Sequence, residues 1–116
     1  MSNDNTPSTL SFDAALAAFV AAVQEGFDKQ NAKMATNFPE GYYKPIKLEA
    51  GSKNIRLVCT AGHGRSVYCF VEKATGNVLK AAGWKAPAKG ARASIYKPES
   101  YAAAKSDCYT GWLYLR

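Results

Sequence analysis

SVYCFVEKATGNVLKAAGW, residues 66–84, decides the fold class of this chain. Two runs, SVYCFVEK and NVLKAAGW, flank ATGN, whose glycine, Gly76, supplies the positive φ that a tight turn needs. Val67, Cys69 and Val71 alternate with Tyr68 and Phe70, and Val78, Lys80, Ala82 and Trp84 alternate with Leu79 and Ala81. Period-two patterning on both sides of a turn predicts an antiparallel hairpin. Upstream, KNIRLVCTA (53–61) repeats the pattern, with Ile55, Leu57 and Cys59 on one face and Arg56, Val58 and Thr60 on the other. GHGR (62–65) is expected to be a flexible connection between the two.

Before the strands the period changes. Ser11 fits an N-cap, Asp13 suits the positive end of a helix dipole, and Leu16, Phe19, Val20, Val23 and Phe27 recur at helical spacing. This predicts one amphipathic helix from about Phe12 to the low thirties, weakened inside by Gly26 and followed by a turn at Pro39 and Gly41. MSNDNTPST (1–9) reads as a disordered leader. PESYAAAK (98–105) predicts a short helix opened by Pro98, and TGWLYLR (110–116) closes the chain with Trp112 and Tyr114 facing away from Leu113 and Leu115. Residues 10–116 are thus expected to form a single α+β nucleic-acid-binding domain. Its antiparallel β-sheet carries the N-terminal helix on one face, with a short C-terminal helix after it.

A chain of 116 residues supports one domain. Its most apolar run, AALAAFVAAV (14–23), is about half of the roughly 18–20 residues a membrane span requires, and no basic segment precedes it. A cytoplasmic protein is expected, with no membrane partner. The three cysteines, Cys59, Cys69 and Cys108, show no CxxC spacing, and His63 is the only histidine. Neither a disulfide framework nor a metal site is expected, and no cofactor. No carboxylate cluster or nucleophile arrangement accompanies His63, and the phosphate-loop pattern of nucleotide hydrolases is missing, so no enzyme is expected.

The charge is unevenly placed. Residues 1–41 carry a net −3 and residues 42–116 a net +9, so the excess cation belongs to the sheet region and points to an anionic partner. WKAPAKGARASIY (84–96) concentrates it: Lys85, Lys89 and Arg92 stand among small residues between two rings, with no carboxylate. One helix covers one side of a sheet, which leaves Tyr68, Phe70, Trp84, Trp112 and Tyr114 as candidates for stacking on bases. Arg65, Lys80, Lys85, Lys89 and Arg92 are the candidates for phosphates. The chemistry fits a single-stranded DNA-binding protein without strong sequence preference, and RNA would meet the same groups. Other readings remain open: the rings suit a core or a subunit interface, and a spare aromatic face predicts a homo-oligomer. The same surface would also suit a protein-interaction regulator docked on a polymerase or host protein.

The run VYCFVEKATGNVLKAAGWKAPAKGARASIY (67–96) also resembles a segment of small bacteriophage-encoded single-stranded-DNA-binding proteins, nearest to the Drc transcription regulators of podoviruses with a virion-packaged RNA polymerase. The likeness lies in Lys80, Trp84, Lys85, Pro87, Ala88 and Arg92. It covers about a quarter of the chain. Ala93 and Ser94 depart from it, standing where a Gly-Asn pair is expected. The resemblance implies a non-enzymatic protein that coats or opens single-stranded DNA in viral transcription or replication, as an oligomer in the host cytoplasm. An RNA polymerase is the partner expected where the surface docks on protein instead.

Overall fold

The computed structural model describes residues 11–62 and 64–114. The expected leader, His63 and Leu115 lie outside the described residues. Helix α1 spans Phe12–Lys33. Ser11 caps it as its sequence position predicts, its Oγ accepting the Ala14 N–H at 3.1 Å, and Asp13 lies in the first turn. Leu16, Phe19, Val23 and Phe27 form its buried stripe. Fully burying a side chain such as Phe19 or Phe27 contributes about 1.5–3 kcal/mol.

Five strands follow: β1 (Lys47–Ala50), β2 (Asn54–Ala61), β3 (Gly64–Glu72), β4 (Asn77–Ala81) and β5 (Pro87–Ser94). They pair antiparallel in chain order, so the sheet is a meander with β1 and β5 at its edges. Gly76 turns β3 into β4 at φ 75°, as the hairpin reading requires. Phe19 and Phe27 of α1 meet Leu57, Val71, Val78 and Ile95 in the core, all nearly inaccessible to solvent. The stretch between α1 and β1 is tied back to the helix. Asn31 exchanges two hydrogen bonds with the Tyr43 backbone at 2.9 and 3.0 Å, and Gln24 Oε1 accepts the Ile46 N–H at 2.9 Å.

PESYAAAK is helical as expected, in the tighter 3₁₀ form over Pro98–Lys105, bent at Tyr101. Tyr101 packs edge-on against Phe19 with ring centroids 4.9 Å apart. This helix lies so close to α1 that a Cβ on Gly26 would collide with the backbone oxygens of Ala104 and Asp107. Gly26 is therefore the residue that lets the two elements touch.

Beyond GHGR, whose Gly64 and Arg65 are not a flexible connection but already pair in β3 with Ala61 and Thr60, three elements differ from the sequence reading. WKAPAKGARASIY, where the residue pattern marks no strand and a loop is expected, is from Pro87 the edge strand β5, with Gly90 at φ 94° where the register with β4 slips. TGWLYLR is not an extended segment: Gly111–Leu113 is a 3₁₀ turn that buries Leu113. The third difference lies in β3. Leu57 pairs with Cys69 and Val58 with Val67, which leaves Tyr68 as the extra residue of a β-bulge. Tyr68 and Cys69 both join the core beneath α1, and alternation resumes with Val67 on the far side.

A candidate nucleic-acid interface on the uncovered sheet face

The face away from α1, called the outer face below, is set by the register. Glu49 pairs with Arg56 and Lys47 with Val58, and Arg56 pairs in turn with Phe70. These residues alternate with Leu57 and Ile55, which point to the helix. No described helix covers the outer face. Val58 and Phe70 are nonetheless buried there, 0% and 3% exposed, and stand outside the core cluster.

Over Phe70 lie the Arg56 side chain and, beside it, the β4–β5 connection. Its Trp84 lies against two arginines, with Arg56 Cζ 4.7 Å and Arg65 Cζ 4.9 Å from the ring centroid. Arg56 also donates from Nε to the Trp84 carbonyl at 2.9 Å and lies over Phe70 at 5.9 Å. Each cation–π contact of this partly exposed kind contributes about 0.5–1 kcal/mol. One carboxylate serves both arginines: Glu49 Oε1 accepts from Arg56 Nη1 at 2.7 Å, and Oε2 accepts from Arg65 Nη1 at 3.2 Å. The hydrogen bond from Arg56 holds the Glu49 carboxyl below its ordinary pKa, with the Arg65 charge acting in the same direction. Two cations thus face one anion.

Open grooves lie on both sides of this cluster. One, of about 350 Å³, is lined by Glu49, Lys53, Arg56, Phe70 and Lys85. The other, of about 340 Å³, runs beside Trp84 along Ser66, Val67 and 81–83. A half-buried indole that lines one groove, with Arg56, Arg65, Lys53 and Lys85 around it and the second groove, presents the ring and the cations that a flexible anionic strand needs.

The ten residues selected from the sequence do not form one surface. Trp84, Arg65 and Lys85 belong to the outer-face cluster, with Phe70 beneath it as a packed floor rather than a stacking ring. Tyr68 is a correction: at 3% exposure it is a core residue, because the bulge turned it toward α1. Its ring meets Phe27 at 5.6 Å, its hydroxyl accepts the Trp112 indole N–H at 2.9 Å, and burial raises its pKa. Trp112 is half-buried and packs against the core from its edge, 6.5 Å from the Phe19 ring centroid.

Arg92 is the second correction. It is the extra residue where β5 slips against β4, and its side chain braces the fold. Nε donates to Gly90 O at 3.0 Å, Nη1 to Leu113 O at 2.6 Å and Nη2 to Lys89 O at 3.1 Å. All three nitrogens are engaged with backbone carbonyls, so this guanidinium is a strut between β5 and the C-terminal turn. Lys80 does not share a surface with Trp84. Alternation from Val78 points it to the helix side, where its Nζ lies 4.6 Å from the ring centroid of Tyr114, itself 60% exposed. Lys89 is exposed on edge strand β5.

Arg56, Glu49 and Lys53 were not among the selected residues, yet they build the cluster. Arg56 carried a readable signal, since NIRLVCTA already puts it opposite the Ile55 and Leu57 face. Glu49 and Lys53 carried none, because their place depends on the pairing of β1.

The chain belongs to a family of unknown function, DUF7717, which matches residues 3–115. No curated protein and no solved structure matches it.

Proposed function

We propose that this chain is a non-enzymatic single-stranded-DNA-binding protein that holds the strand on the outer face of its sheet. The observation that carries the reading is the half-buried Trp84 against Arg56 and Arg65, with open grooves beside this cluster and no described helix above it. Bases stack on Trp84; Arg65, Arg56, Lys85 and Lys53 meet phosphates. Base stacking on an aromatic ring contributes about 1–3 kcal/mol per base and tolerates any sequence, which agrees with a site built from one ring and several cations. The cationic excess in residues 42–116 supports the same reading, as does the resemblance of residues 67–96 to phage single-strand binders.

Fluorescence anisotropy of a labelled oligothymidylate of about 25 nucleotides, with its duplex form as control, tests the proposal. Tight binding of the single strand is expected, with log affinity falling linearly in log salt by about 0.7 per phosphate neutralised. Equal affinity for duplex, or binding that ignores salt, contradicts it. A protein pull-down abolished by Trp84→Ala, with DNA binding absent, would assign the surface to a protein partner instead.

A further inference from the structure

Glu49, Arg56 and Arg65 come from β1, β2 and β3, three adjacent strands, and converge on one point of the outer face. The two carboxylate oxygens are taken by two different guanidiniums, at 2.7 and 3.2 Å. A phosphodiester also offers two anionic oxygens on one centre. It would find the same two donors in reach, with a fork geometry suited to it.

Glu49 is held there by one short contact to the half-buried Arg56 and otherwise by weak means. Its side chain is 37% exposed, it sits on a four-residue edge strand, and its Arg65 partner is 51% exposed. Ion pairs in that setting contribute little net stability, so exchanging one anion for another is easy. Arg65 uses one nitrogen on Glu49, and its other nitrogens have no acceptor among the described residues. The groove that Glu49 lines also holds Lys53 and Lys85, which offset its charge once it leaves the arginines.

We infer that Arg56 and Arg65 form a seat for one backbone phosphate, and that Glu49 fills this seat in the free protein and gives it up when the strand binds. The inference rests on the function proposed above. In the free protein, Glu49 holds the two guanidiniums together beside Trp84, so the seat is shaped before the phosphate arrives. It also competes for the seat, which limits affinity and makes the strand easy to release. Glu49 is thus a positioning residue that weakens binding.

Glu49→Gln keeps the shape and removes the charge. Two probes are used: the oligothymidylate above, and sodium tripolyphosphate followed through the NMR signals of the arginine Nε–H groups and the Trp84 indole N–H. The variant is expected to bind both more tightly, by about three- to tenfold at low salt, because a like charge has been removed from the seat. Glu49→Ala must move in the same direction, and adding Arg65→Gln to either must abolish the gain. Unchanged or weaker tripolyphosphate binding by both variants, at an unaltered urea midpoint, overturns the inference. Tighter tripolyphosphate binding with no oligonucleotide binding by either protein leaves the phosphate seat standing and removes single-stranded DNA as its ligand.

Discussion

Trp112 and Trp84 lie on opposite sides of one sheet, and their partners differ in kind. Trp112 has a ring beside it and a hydroxyl for its N–H: Phe19 at 6.5 Å and Tyr68 Oη at 2.9 Å. The rings on that side continue edge to face through Phe19–Tyr101 and Phe27–Tyr43 at 4.9 and 5.1 Å. Trp84 has two guanidiniums, a groove along it, a second groove beside its cluster, and no described helix above it. Rings that satisfy one another make a core, whereas a ring held by cations on an open face keeps a surface to offer. The number of aromatic residues does not separate these cases. Their neighbours do.

Substitutions on the two sides should therefore fall into two classes, with stability lost on one and binding on the other. The largest effect is expected for Phe27→Ala, which empties a fully buried site and should cost about 3–5 kcal/mol in urea denaturation. Strand affinity, measured where the variant is still folded, should stay unchanged. Gly26→Ala comes next. An alanine in an open helix gains up to about 1 kcal/mol over glycine. Here its Cβ meets the Ala104 and Asp107 carbonyls, so a net loss of about 1–3 kcal/mol is expected, and a stabilised variant would mean that the helices sit further apart.

Arg92→Ala sharpens the contrast, because the residue is cationic yet belongs to the scaffold. Losing its hydrogen bonds to the Lys89, Gly90 and Leu113 carbonyls should cost about 1–3 kcal/mol of stability. The salt dependence of strand binding should keep its slope. Lys85→Ala is the reverse and the smallest in stability, within about 0.5 kcal/mol of the parent. Its log–log salt slope for a single strand should become shallower by about 0.7. A Lys85 variant with an unchanged slope would move the strand away from the groove that Lys85 lines.

Much of the fold was legible because its signals are local. The cap at Ser11, the stripe through Phe19 and Phe27, and the Gly76 turn each depend on residues a few positions apart. Strand β5 was not legible, since PAKGARAS has proline, glycine and alanine where strands favour branched and aromatic residues. It is a strand because β4 offers it an edge, which is a property of the partner. The candidate surface was legible in part. Trp84, Arg65 and Lys85 were found from composition, but a single bulged residue reversed Tyr68, and a register slip turned Arg92 into a strut. Alternation read from sequence cannot register an extra residue, because the bulge is defined against the neighbouring strand.

The most direct measurement separates the two tryptophans. With Trp112→Phe, Trp84 is the sole tryptophan; with Trp84→Phe, Trp112 is. Each protein is titrated with the single-stranded oligothymidylate at low and at raised salt while indole emission is recorded. Strong quenching of Trp84 that weakens as salt rises, beside a Trp112 signal that hardly moves, is the result expected if the open face holds the strand. Quenching of Trp112, or a silent Trp84 while anisotropy reports binding, would contradict it and place the strand elsewhere on the molecule.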